Sequence, residues 1–138
     1  MTLSPGQRNI AVKLLIDKSE RNMEQAIKNA ESDYWDLVAN RLYYSVFHAV
    51  TALMLADGIR TNTHKGISAQ FGYHYVLTGQ FSREDGILYS RLQTMREKAD
   101  YQNTFTLPSD KGKALISEAR KLQQRIITVI TRKVGDKE

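Results

Sequence analysis

Three short stretches of this sequence collect residue types that can hold an anion or move a proton. In the first, Arg41, Ser45 and His48 recur at steps of four and three, which puts them on one face of a helix that is otherwise apolar. Arg41 and His48 would stand about 10.5 Å apart along the axis, too far to touch but able to line one crevice. A histidine there titrates near neutral pH. The plainer alternative pairs Arg41 with a carboxylate and leaves His48 satisfied in the core. In the second stretch, Thr63-His64-Lys65-Gly66, a helix N-terminus with free N–H groups lies beside two cationic side chains, an anion or phosphate site in outline. Its alternative is a capped helix start whose charges face water. In the third, Met95–Tyr101, Arg96 and Asp100 stand four apart and can pair on the helix surface for about 0.2–0.5 kcal/mol. Arg96 and Tyr101 can instead reach a shared site where that helix ends.

Five helical segments would have to position these residues. The first runs from about Gln7 to Ala30 on an apolar stripe of Val12, Leu15, Ile16, Met23, Ala26, Ile27 and Ala30, with Pro5 near its start. The second begins near Asp33, stops before Gly58 and is apolar almost all round, as a helix at the centre of a bundle would be. A loop over 59–63 leads to a third segment, capped by Thr63 and ending near Thr78-Gly79. Ser82 followed by Asp85 resembles a capping box and opens a fourth helix that carries Leu88, Leu92, Met95 and Ala99 to about Tyr101. After the loop 102–108, Ser109 can cap a fifth helix with a stripe of Leu115, Ala119, Leu122, Ile126, Val129 and Ile130. With no repeat and no dividing linker, residues 1–138 read as one all-α, up-and-down four- or five-helix bundle.

Composition agrees with that reading and removes several functions. The 138 residues are 41% hydrophobic and 25% charged, enough apolar surface to offset the entropy of folding, so disorder is excluded as the main state. There is no cysteine, hence no disulfide, thiolate metal cluster or cysteine nucleophile. Phosphate-loop, dinucleotide, zinc-protease and nucleophile-elbow motifs are absent, and so are the paired Glu-x-x-His motifs of di-iron bundles. The three histidines fall at spacings unsuited to a shared metal ion. No metal and no cofactor is expected. The charge is +5 and lies in the later part of the chain: residues 1–40 hold five basic and six acidic side chains, and residues 41–138 hold 15 and nine. Such an excess can attract RNA, a nucleotide or an acidic partner, or can be ordinary solvated surface. The apolar stretch Leu37–Ala56 contains Asn40, Arg41, Ser45 and His48, which a bilayer would penalise. With no leader-like start either, a cytoplasmic protein with no membrane contact is expected.

Taken together, Asn40-Arg41-Leu42-Tyr43-Tyr44-Ser45-Val46-Phe47-His48-Ala49, Thr63-His64-Lys65-Gly66 and Arg96-Glu97-Lys98-Ala99-Asp100-Tyr101 resemble the HEPN superfamily, within it a small stand-alone branch. The resemblance covers residues from about 10 to 125 in matching helix order. It implies an all-α bundle that pairs into homodimers, often a metal-independent endoribonuclease. It also implies a frequent partner, a minimal nucleotidyltransferase, in a toxin–antitoxin or related defence pair. Active members carry an arginine followed after four to six residues by a histidine. Arg96 matches the arginine, whereas Tyr101 stands where the histidine is expected.

That departure bears directly on chemistry. Cleaving RNA without metal takes a base for the ribose 2′-OH, an acid for the leaving oxygen and a cation for the charged phosphorane. Arg96 can supply the cation through bidentate contact with phosphate oxygens. Tyrosine, with an ordinary pKa of about 10, is a poor base at neutral pH. His48 or His64 could replace it only if the fold or a dimer partner brings one near Arg96. The expectation is a degenerate HEPN protein that binds RNA, a nucleotide or a partner protein in a groove lined by Arg41, Tyr44, His48, Arg96, Asp100 and Tyr101, with His64 and Lys65 as further binding residues. Two alternatives stand beside it. One is an endoribonuclease with an atypical site built on Arg96, Tyr101 and His48. The other is a structural dimerisation or adaptor module.

Overall fold

The computed structural model describes residues 3–60 and 63–135; the side chains of His64 and Lys65 lie outside the described residues, as do residues 61 and 62 of the expected loop. The elements are α1 (Pro5–Glu31), α2 (Trp35–Ala56), α3 (His64–Phe71), a π-helical turn (Gly72–Val76), α4 (Arg83–Tyr101) and α5 (Ser109–Gly135). No strand occurs among the described residues, and the architecture is the expected all-α, up-and-down bundle.

Helix ends follow local chemistry, in places more closely than apolar spacing suggests. α1 starts two residues before the expected Gln7, because Ser4 and Gln7 form a reciprocal capping box around Pro5. α2 starts after Asp33, not at it. Asp33 sits at φ 60° in the short turn from α1, a left-handed conformation that aspartate tolerates better than most residues. At the other end Gly58, at φ 73°, lets its N–H reach Leu55 O while Ile59 N reaches Met54 O, a double bond pattern that terminates the helix. Thr63 caps α3 through Gly66 N (2.9 Å) as expected. The third segment is not one uniform helix, however. It widens after Phe71 into the π turn, where Leu77 N bonds Gly72 O (2.9 Å). Ser82 and Asp85 form the anticipated capping box on α4. Ser109 is the first residue of α5 and not its cap, since the Pro108 carbonyl already accepts from Gly112 N (2.8 Å).

The core is built around α2, which packs against α1, α3, α4 and α5. Val38, Leu42, Tyr43, Val46, Val50 and Leu53 are fully buried, which explains why no single apolar stripe is visible on this helix. One buried polar network crosses this core. Ser19 Oγ donates to Ser45 O (2.6 Å) and accepts from Gln123 Nε2 (3.0 Å), tying α1, α2 and α5. Ser45 thus belongs to this interior network and not to a groove shared with Arg41 and His48. Two carboxylates fasten the edges. Asp57 accepts from Tyr75 Oη (2.5 Å) and pairs with Lys133 (2.9 Å), while Asp85 adds an ion pair with Arg125 to its capping role. No helix among the described residues is long and apolar enough to cross a membrane.

At one contact the backbone itself must come close. A Cβ on Gly112 would meet the six-membered ring of Trp35 nearer than real Cβ atoms approach other groups. Gly112→Ala should therefore cost about 1–3 kcal/mol of unfolding free energy, as overpacked sites do. Gly6→Ala, in open space, should change little. Urea unfolding followed by the fluorescence of Trp35, the only tryptophan, measures both; equal midpoints for the two variants would contradict the packing argument.

Candidate arginine and tyrosine site

The arginines of the first and third stretches both come against one tyrosine ring, Tyr44. Arg41 and Tyr44 lie one turn apart on α2, and Arg96 reaches across from the last turns of α4. The Arg41 Cζ is 5.9 Å and the Arg96 Cζ 5.8 Å from the centre of the Tyr44 ring. Arg96 lies still closer to Tyr43, at 4.9 Å. Both separations fit attraction between a guanidinium and the electron-rich face of an aromatic ring. The pairing of α2 with α4 follows from burial of Tyr43, Tyr89 and Leu92, and the Tyr43 and Tyr89 rings stack at 6.1 Å.

The two arginines are neutralised differently. Arg41 Nη1 donates to two amide oxygens, Asn22 Oδ1 (3.2 Å) and Gln25 Oε1 (3.4 Å), so its charge meets dipoles and not the carboxylate considered above. Arg96 donates to Asp100 Oδ2 at 3.3 Å and faces Glu97 at 3.9 Å. Asp100 is gripped from the other side too, since Asn40 Nδ2 donates to its Oδ1 (3.4 Å). The i,i+4 pair expected on the surface therefore exists, but it is set between α4 and α2 with the Arg96 side chain only 15% exposed.

The remaining candidates divide. The His48 ring stands 6.0 Å from Tyr44 and 5.3 Å from Phe47, on the same aromatic wall as the arginines. Tyr101 is 83% exposed and projects from the end of α4 into solvent. The backbone of His64 and Lys65 forms the first turn of α3, and their side chains lie outside the described residues. Two members of the site were not singled out from sequence: Asn40, which holds Asp100, and Tyr43, which floors Arg96. The signal was present, because 40, 43, 44, 47 and 48 repeat at steps of three and four and share a helix face. Among the described residues no group of three His, Asp or Glu side chains could hold a metal ion.

Burial pushes the Tyr43 hydroxyl up to about 12, against the opposing pull of the Arg96 charge. At neutral pH it is a protonated phenol, able to donate a hydrogen bond but not to act as a base. Chemically, the site is a polar patch with two guanidiniums, one tethered carboxylate, an aromatic wall and an imidazole at its edge.

The fold and site define a helical bundle that holds two arginines against an aromatic wall. The HEPN domain family is matched over residues 12–133, and the chain belongs to that family. Among its relatives are two proteins of Methanocaldococcus jannaschii. "Putative toxin MJ0605" is 31% identical over 83% of this chain and 85% of its own length, and "Putative toxin MJ0142" is 28% identical over 74% and 69%. A "UPF0332 protein" of Thermotoga maritima is 35% identical over 58% of this chain and 61% of its own, under two thirds of that relative's length.

Buried phenols give the fold a defined alkaline limit. Tyr43, Tyr75 and Tyr89 all have folded-state pKa values raised above the ordinary 10, chiefly by burial. Their contribution is complete below pH 10, where the phenols are neutral in both states. It is lost as pH rises, because only the unfolded chain ionises freely. Unfolding free energy should fall above pH 10 by up to about 1.4 kcal/mol per pH unit for each phenol. Tyr43→Phe should make that decline shallower in urea titrations from pH 9 to 11. An identical slope in the variant would contradict the assignment.

Proposed function

We propose that this protein is a toxin-type HEPN protein that binds single-stranded RNA at the Arg41, Tyr44 and Arg96 site without cleaving it. The observation that carries this reading is that two guanidiniums, from α2 and α4, lie within 6 Å of one tyrosine ring, Tyr44, at 5.9 and 5.8 Å from its centre. Arginine forks bind phosphate oxygens bidentately, and an aromatic ring beside them offers a base a face to stack on. The relatives named as toxins support a place in a toxin–antitoxin or defence-type pair. In such a pair a homodimer of this chain would meet a minimal nucleotidyltransferase, as the family resemblance implies. Tyr101 in place of the histidine leaves no base at the position that active members use, which supports binding over catalysis.

One observation favours the alternative of a metal-independent ribonuclease. His48 stands against the same Tyr44 ring that both arginines flank, so an imidazole is within the site's neighbourhood although not at the usual position. In that reading His48 takes the 2′-OH proton and Arg96 stabilises the phosphorane.

Incubation of purified protein with a mixed-sequence RNA in EDTA, with Arg96→Ala and His48→Ala prepared identically, separates the readings. We expect binding without cleavage, weakened about 10- to 100-fold by Arg96→Ala through loss of charge-assisted hydrogen bonds. Cleavage by the wild type that disappears in Arg96→Ala would overturn the binding-only reading, and its loss in His48→Ala would assign the base.

A further inference from the structure

We propose that Asp100 is the resident occupant of the Arg96 anion seat, and that a phosphate reaches Arg96 only by displacing it. This rests on the RNA-binding reading above and names what regulates affinity at that site. The Arg96 guanidinium has few open sides. One face lies on Tyr43, the Tyr44 ring bounds it at 5.8 Å, Nη1 is taken by Asp100 and Nη2 faces Glu97. A guanidinium offers phosphate the same N–H edge that it offers carboxylate, so the two anions compete for one position.

Asp100 is placed both to stay and to leave. Asn40 steadies its second oxygen from α2, yet 34% of its side chain faces solvent, so it can swing out without crossing the core. Arg41 is the contrasting case. Its partners are the neutral amides of Asn22 and Gln25, which an incoming phosphate replaces without breaking an ion pair. A polyanion therefore gains its less costly contact at Arg41 and exchanges with Asp100 at Arg96. A single weak anion, with only one contact to offer, does not displace a carboxylate tethered beside its partner on the same helix. Asp100 would thereby hold the site closed to small anions and set a threshold for longer ones.

The test uses a labelled single-stranded 2′-O-methyl RNA, which lacks the free 2′-OH needed for cleavage, and measures its binding in EDTA. Asp100→Asn keeps an oxygen for Asn40 and removes the charge. It should tighten binding about two- to fivefold, the range an exposed ion pair is worth. Glu118→Gln makes the same change in net charge on α5 and should tighten it by less. In an Arg96→Ala background the gain from Asp100→Asn should shrink to that of Glu118→Gln, because no seat remains to be vacated. Asp100→Asn binding no tighter than wild type, Glu118→Gln matching it, or a gain that stays as large without Arg96 would each overturn the proposal. Any of these, with wild-type binding still lost on Arg96→Ala, leaves the RNA-binding reading standing. If neither the wild type nor any variant binds the RNA, both fall together.

Discussion

Enclosure of α2 is the constraint from which the rest of this structure follows. A helix packed by four neighbours keeps only a narrow partly exposed strip, so a polar side chain it carries either sits in that strip or must meet a partner inside. Ser45 is the exception: it is fully buried, its backbone carbonyl accepts from Ser19, and its hydroxyl has no hydrogen-bond partner among the described residues. Asn40, Arg41, Tyr44 and His48 instead fall in the half-buried strip beside α1 and α4. Only there can a guanidinium keep some water while its planar group rests on aromatic rings. The site is in this sense where the bundle's polar residues on α2 could be accommodated at all.

The same enclosure explains why the aromatic wall is rigid. Tyr43 is wholly buried and stacks on Tyr89 and Phe47, and Phe71 meets Tyr89 edge to face at 5.7 Å. Core packing at such density leaves each ring little freedom, so the cations resting on Tyr43 and Tyr44 inherit fixed positions from the hydrophobic core beneath. The bond between Tyr75 and Asp57, and from Asp57 to Lys133, closes the opposite end of α2. Energetically the bundle needs only its core; the placement of Arg41 and Arg96 is a by-product of that core which a phosphate-binding surface can use.

Apolar periodicity made the helices legible, since stripes such as Leu115, Ala119, Leu122, Ile126 and Ile130 are indeed the buried faces. It failed where backbone chemistry decides. Asp33 resembles a helix start by residue type but adopts a left-handed turn, and Pro108 supplies the first carbonyl that Ser109 was expected to provide. The π turn after Phe71 has no signature in apolar spacing. The site was legible in its arginines and in Asp100, because charged residues at helical spacing on an apolar helix are conspicuous. Its assembly was not: that Arg96 would lie on Tyr43 and not point into solvent depends on how α4 crosses α2, which a single sequence does not encode locally. Asn40 was visible as a residue, but its role appears only once Asp100 from the other helix is beside it.

The tyrosine at position 101 can be weighed on geometry as well as on type. A proton-transfer group works only when it is held within hydrogen-bond reach of the atom it serves. Tyr101 is 83% exposed at a helix end, with nothing in the core fixing its ring. The neighbouring residues are held far more firmly: Arg96 by two rings and two carboxylates, Asp100 by Arg96 and Asn40. Arg96 and Asp100 are thus held by several partners, whereas the Tyr101 ring faces solvent. That asymmetry between a fixed cation and an unfixed phenol, more than the mere replacement of histidine, is the physical argument for binding over catalysis.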